Sequence, residues 1–387
     1  DREGNIYVTG NGWPYQYTAA GLMANQTSLR AFPPSAVNAS APETKWCLNH
    51  LGYIFDGATL DPADKSVAHV GADQLYKMDW SKDKPGSEAT YEAFTANRRA
   101  FPMEYMGRRG RSTPYIRRMG GERILSLGGS KFYRFDHDEH GYTAVPAAVI
   151  GTHGYRKTPP QWPANIPVDK RMPFVWVDGH GGGPVDGKAQ AEEYWTHESL
   201  KSGAGTYYDI DDEGNVWFTG GWRNARLTRL EFTGLKNGVP TWDPEPQVIE
   251  VPEPFNILQW SRYDAATDTM ILAGLVGIYE GSPDVRNRTN YVAQYPDWSE
   301  GNRESSIEFP LTLVSGGYYW NGGHGFATVD HFVCVPGRPG NVSVIDMRHG
   351  NRVIEFIHGP EVGGLGGAFD KDPSSVQMFH LPGEDEY

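Results

Sequence analysis

Cysteine is nearly missing from this chain: Cys47 and Cys334 are the two in 387 residues. Two thiols exclude a disulfide-stapled scaffold and a four-cysteine zinc site. They stand far apart, so a pair across a junction and two buried free thiols both stay open. Apolar runs of roughly 18 residues are absent, so no membrane-crossing helix is expected. A basic excess is lacking as well: 35 Lys plus Arg face 48 Asp plus Glu, for a net charge of −13. A nucleic-acid partner would call for a basic face, and none shows. There is no G-x-S-x-G, no P-loop, no dinucleotide fingerprint and no C-x-x-C-H haem site. No signal-peptide pattern opens the chain, which starts at Asp1 inside a repeat and reads as a processed or trimmed N-terminus. The scarcity of cysteine fits an extracytoplasmic, secreted or periplasmic setting. Asn25, Asn38, Asn287 and Asn341 each begin an N-x-Ser/Thr triplet, relevant only in a eukaryotic secretory pathway.

What is present is repetition. Asp1 to Gly10 reads DREGNIYVTG, and Asp211 to Gly220 reads DDEGNVWFTG, with six of ten positions identical and three apolar swaps. Asp and Asn bond their own backbone in turns, and Gly supplies positive φ. The β-branched and aromatic residues that follow suit a short buried strand. Weaker copies start at Asp61, Gly121, Asp264 and Asp370, and His331 opens a seventh apolar strand without the same turn. A second strand type follows in LYKMD from Leu75, FYRFD from Phe132, LTRLEF from Leu227 and VSVID from Val342.

Short strands with regular turn signals predict an all-β fold, and units of roughly 40 to 60 residues predict propeller blades. Seven units in 387 residues average about 55 each. The expectation is one domain over 1–387: a seven-bladed β-propeller, with six blades as the alternative if the termini share one blade. Three stretches, at about 19–60, 81–114 and 151–202, are too long for simple turns. They read as loop insertions crowding one face, the last with a short helix over 188–194.

The candidate chemistry lies in those insertions. Twelve His and 47 Gly would give between one and two His-Gly steps by chance, yet there are six. Those at His140, His349 and His358 read as hairpin turns. His153, His180 and His324 sit in very glycine-rich turns, where a close backbone could present imidazoles to the channel axis. Three such ligands with an open position make the pattern of a catalytic divalent metal, zinc first. His69 lies in an apolar strand that could also line the channel. A hydroxyl from Tyr155, Tyr318 or Tyr319 would handle the proton.

Arg108, Arg109 and Arg111, with Arg117 and Arg118, read as a solvated or ion-paired loop, or as a bidentate clamp on an acidic substrate. Trp222 and Trp320 are aromatic faces that suit a sugar ring, or packing residues of long loops. Asp178, Asp186 and Glu192 resemble the acidic calcium loops of some bacterial propellers, with the middle ligands replaced by Gly-His-Gly-Gly-Gly-Pro.

The D-x-x-G-N-apolar-aromatic-apolar-T motif resembles NHL-repeat and gluconolactonase-like propellers. It is strong at Asp1–Gly10 and Asp211–Gly220, and elsewhere the likeness is architectural. The resemblance implies the fold, and relatives that are lyases or lactonases with a metal held at the channel mouth. Two functions follow as expectations. One is an extracytoplasmic metal-dependent lyase or hydrolase acting on a carbohydrate or other polar substrate. The other is a non-catalytic propeller that binds a glycan or another protein chain.

Overall fold

The protein is described from a computed structural model, over residues 6–11, 27–32, 46–49, 58–70, 74–82, 87–95, 101, 114–138, 141–152, 161–166, 173–200, 207–220, 225–276, 289–311, 327–336 and 342–356. Every strand pairing among them is antiparallel. An N-terminal sheet holds β1 (Ile6–Asn11), β2 (Thr27–Phe32) and β3 (Trp46–Asn49) in that order. Blade 1 holds β4 (Ala58–Leu60), β5 (Val67–Val70), β6 (Gln74–Met78) and β7 (Ala89–Phe94). Blade 2 has six strands: β8 (Pro114–Met119), β9 (Glu122–Leu127), β10 (Lys131–Asp138), β11 (Gly141–Thr152), β12 (Pro173–Val177) and β13 (Tyr194–Trp195).

Blade 3 starts with β14 (Tyr208–Ile210), β15 (Val216–Thr219) and β16 (Leu227–Leu230). A hairpin of β17 (Phe232–Lys236) and β18 (Val239–Trp242) then intervenes before β19 (Gln247–Ile249) completes the sheet. Blade 4 holds β20 (Ile257–Asp264), β21 (Thr269–Val276), β22 (Thr289–Tyr295) and β23 (Ile307–Leu311). Blade 5 holds β24 (Ala327–Val329), β25 (Phe332–Pro336), β26 (Val342–Asp346) and β27 (Asn351–Phe356).

Each blade is a meander whose apolar faces pack on the next blade in sequence. Ile116, Leu125 and Tyr133 meet Val67 between blades 1 and 2. Ile124, Phe132 and Val175 meet Ile210, Val216 and Phe218 between blades 2 and 3. Trp217 and Leu227 meet Leu258 and Leu272 between blades 3 and 4. Trp260 and Ile271 meet Val333 and Ile345 between blades 4 and 5. Sheets stacked face to face in chain order are the blades of a β-propeller. Fully burying one such side chain contributes about 1.5–3 kcal/mol, so these seams carry much of the stability.

Five of the seven expected units map onto the five blades. The turns at Asp61, Gly121, Asp211 and Asp264, and His331, lead into β5, β9, β15, β21 and β25, the second strand of each blade. The second strand type forms the third strand, in β6, β10, β16 and β26. The described residues therefore hold five blades of four or more strands, where seven or six were expected. The Asp1 unit leads into β1, whose sheet has three strands, and the Asp370 unit lies outside the described residues. The stretches read as insertions also hold strands: β2, β3 and β4 in 19–60, β7 in 81–114, and β12 and β13 in 151–202. The short helix over 188–194 is a single 3-10 turn at Ala191–Glu193.

The turn chemistry is local and self-contained. Asp211 accepts the backbone N–H groups of Glu213 (3.1 Å) and Asn215 (2.9 Å) on Oδ1, and Trp217 Nε1 (2.7 Å) on Oδ2. Asp264 accepts Ala266 N–H at 2.9 Å, and Asp346 accepts Arg348 N–H at 2.9 Å. Gly129, between β9 and β10, has φ +67°, and a Cβ there would lie 2.4 Å from the Tyr208 carbonyl oxygen. A side chain at that turn would push blade 2 off blade 3.

Because the unit's signature strand is the second of its blade, His69 on β5 is buried and packs on Phe135, with ring centroids 5.1 Å apart. It lies between blades 1 and 2 and not along a channel. Cys334 on β25 is a buried free thiol, pushed up to about 12 by burial.

Candidate functional site

Four of the predicted site residues fall in the segment joining β12 to β13. Asp178 follows β12 and is buried. Its Oδ1 accepts the backbone N–H groups of Asp186 (3.1 Å) and Gly187 (2.9 Å). Its Oδ2 accepts no hydrogen bond and lies 4.0 Å from Nη2 of Arg134. Burial, and then the Glu193 carboxylate, raise Asp178 to about 6 against those two backbone bonds and the arginine.

Glu193 is fully buried and organises the rest of the segment. It accepts Gly179 N–H at 2.7 Å, Gln190 N–H at 2.9 Å and Trp176 Nε1–H at 2.8 Å. The neighbouring Glu192, expected as a ligand, is exposed. Asp186 is exposed too and accepts Lys188 N–H at 2.9 Å. His180 is exposed on a 3-10 turn, held below its ordinary range by partial desolvation and the Lys236 ammonium. Gly181 has φ +66°, and a Cβ there would lie 2.5 Å from the Glu192 carbonyl oxygen. Gly179, Gly181 and Gly183 thus have a packing reason: a Cβ at each would lie 2.5–2.6 Å from Val185, the Glu192 carbonyl or the buried Glu193 carboxylate. Among the described residues no three His, Cys, Asp or Glu side chains are grouped to hold a metal ion. His153, His324, Tyr155, Tyr318, Tyr319, Arg108, Arg109, Arg111, Trp222 and Trp320 lie outside the described residues.

A second constellation forms where the first strands of successive blades converge, β4 against β8 and β14 against β20. Alternation along β8 sends neighbouring side chains to opposite blades. Arg118 turns to blade 1, where it and Arg123 bond Asp61 at Nε···O distances of 3.0 and 2.7 Å. Asp61 is fully buried. Burial opposes its charge, but the bonds from Arg118, Ala63 N–H and Arg123 outweigh it and hold the carboxyl low.

Arg117 turns the other way. Its Nε donates to the Ile210 carbonyl at 3.1 Å and its Nη1 to the Ile116 carbonyl at 3.3 Å. Its guanidinium carbon sits 5.2 Å from the centre of the Tyr115 ring. From blade 4, Arg262 reaches the same Ile210 carbonyl at 2.9 Å. It also pairs with Asp209 at 3.2 Å and Asp212 at 3.3 Å. Burial works against the Arg262 cation, yet Asp209 and Asp212 raise it above its ordinary range. Arg117 is lowered, by desolvation first and Arg262 second. Among the described residues no carboxylate lies within ion-pair distance of Arg117. Tyr207, just before β14, is pushed far up by burial and then by Tyr115, so its phenol stays protonated. Thr219 Oγ1 accepts Tyr207 N–H at 3.2 Å and donates to the Gln259 carbonyl at 3.1 Å, tying this corner to β20. The buried Gln259 amide has neither atom hydrogen-bonded.

Tyr115, Tyr207, Asp209 and Arg262 were not singled out in the sequence, and Arg117 was read as part of a loop. The signal that could have found them is the residue before each unit's turn. Tyr115-x-Arg117 and Tyr207-x-Asp209 precede the Gly121 and Asp211 turns, and Arg262 stands two before Asp264.

No protein-family model and no curated protein matches the sequence. Solved structures do resemble it. Sqt1 from Chaetomium thermophilum, bound to the N-terminus of the ribosomal protein L10, shares 11% identity at a TM-score of 0.41, over 86% of this chain and 80% of that one. The Cps50 (Swd1) β-propeller domain of Myceliophteria thermophila shares 8% at a TM-score of 0.37, over 86% and 82%. TolB from Acinetobacter baumannii shares 11% at a TM-score of 0.40, over 90% of this chain and 62% of TolB.

Proposed function

We propose that this chain is a non-catalytic propeller that binds another protein chain through the face where its first strands converge. One observation carries the reading: Arg117 is held on that face by two carbonyls and an aromatic ring, with no described carboxylate in ion-pair distance. The acidic segment after β12, by contrast, directs Asp178 Oδ1 and both Glu193 oxygens at its own backbone N–H groups and the indole of Trp176 on β12. Such closed geometry suits a rigid scaffold. A metal-dependent lyase or hydrolase would need His153 and His324 to join His180.

The deciding measurement is elemental mass spectrometry on the purified chain and on the His153→Ala/His180→Ala/His324→Ala triple variant. The expected result is no stoichiometric transition metal in either. One zinc, copper or manganese per chain that disappears in the triple variant would overturn the binding-subunit reading.

A further inference from the structure

Three features compete for a role beyond the fold. His69 is buried without a hydrogen-bond partner, but it is enclosed between blades 1 and 2, with no opening toward a ligand described. Asp178 Oδ2 also lacks a hydrogen bond, yet Arg134 already faces it. The convergence of β8, β14 and β20 differs from both, because its unmatched group is a cation that is only half-buried, at the seam of blades 2 and 3.

Two guanidiniums share one acceptor there, the Ile210 carbonyl. Asp209 and Asp212 both pair with Arg262 and leave Arg117 to carbonyl oxygens. A desolvated guanidinium bonded only to neutral oxygens retains strong demand for an anion, and its planar fork matches a carboxylate. The Tyr115 ring lies over one side of that fork, 5.2 Å from its guanidinium carbon, within cation–π reach.

We infer that Arg117, backed by Tyr115, is the recognition site for a carboxylate side chain of an acidic peptide segment. This rests on the reading of the protein as a binding propeller and narrows it to one chemistry. A carboxylate supplied from outside would give Arg117 the partner that Asp209 gives Arg262. At a net charge of −13 the chain does not steer acids from a distance. Recognition is therefore short-range, and it depends on the fork geometry more than on total charge.

The test is calorimetric titration of the intact chain with a capped glutamate-containing hexapeptide, its glutamine counterpart, and an oligogalacturonate. The glutamate peptide is expected to bind at one site, and the glutamine peptide at least tenfold more weakly. Arg117→Gln should lose binding at least tenfold with its circular dichroism unchanged. If Arg117→Gln fails to fold, Arg117→Lys and Tyr115→Leu take its place. Arg117→Lys keeps the charge and loses the fork, Tyr115→Leu keeps an apolar side chain and loses the ring face beside the guanidinium, and each should weaken the peptide several-fold. Equal binding of the two peptides, no binding of either, or no effect of these variants would overturn the inference. Binding of the oligogalacturonate alone would overturn the peptide assignment. A macromolecular complex that survives Arg117→Gln would sink the carboxylate site and leave the binding-propeller reading intact. Stoichiometric metal lost with the three histidines would sink that reading instead.

Discussion

Arg117 and Arg118 are neighbours on one strand, and they lead opposite lives. Arg118 faces blade 1 and shares the buried Asp61 with Arg123, so that junction closes on its own charges. Arg117 faces blade 3 and meets carbonyls and an aromatic ring, while the nearby carboxylates belong to Arg262. Both sides of the strand are seams between blades, but one holds a buried carboxylate and the other offers its half-buried arginine only carbonyls and a ring. The strand's period of two places two like residues in unlike chemistry. A charge-pair count over the whole molecule would miss this, because the distinction is between a satisfied ion network and an unsatisfied one.

That contrast can be broken at the seam first. Asp61→Ala should cost about 3–5 kcal/mol, since it strands two arginines against a buried site, and urea unfolding would read it. A loss below about 1 kcal/mol would mean that water already screens the triad. On the other side, Arg262→Met should cost about 3 kcal/mol by leaving Asp209 buried and unpaired. Arg117→Met should cost only about 1 kcal/mol, because it strands no carboxylate. Equal losses for these two variants, in the same unfolding series, would erase the asymmetry on which the binding site rests.

Acid offers a gentler probe of the seam. His69 is held down to about 3 by burial first and Arg123 second. Its folded value lies below the unfolded one, near 6.5. Its contribution is therefore fully present above about pH 6.5 and is lost as pH falls toward 3, with a slope of up to about 1.4 kcal/mol per pH unit. His69→Leu should flatten the unfolding free energy across that window while changing little at pH 8. An unchanged acid slope would show that other groups govern it. The smallest effect is expected at Gly181. Gly181→Ala meets the Glu192 carbonyl and a positive φ, for about 1–2 kcal/mol of local opening. Hydrogen exchange over 178–193 would report it with the global transition barely moved.

The sequence carried the repeat unit with good fidelity. Asp61, Asp211 and Asp264 cap the turns, and Val67, Val216 and Thr269 begin the strands that follow, because Asx turns and apolar strands are decided by a few adjacent residues. It was less informative about phase. The signature strand is second in its blade, so His69 lies in a seam, and stretches that looked like insertions supply strands that complete or extend sheets. It also put Glu192 in the acidic segment where Glu193 is the buried group, since a one-residue shift in a turn reverses inside and outside.

The sequence by itself therefore determined an acidic, cysteine-poor, repeating all-β chain with no long apolar span, properties that depend on composition and short-range order. Tertiary structure alone decided that Asp209 would side with Arg262, that Glu193 would draw the segment after β12 around itself, and that Arg117 would be left to carbonyls. Those outcomes depend on which strands meet across blade seams. Side chains 50 or more residues apart, such as Arg262 and Asp209, are brought within hydrogen-bonding distance only when the blades stack.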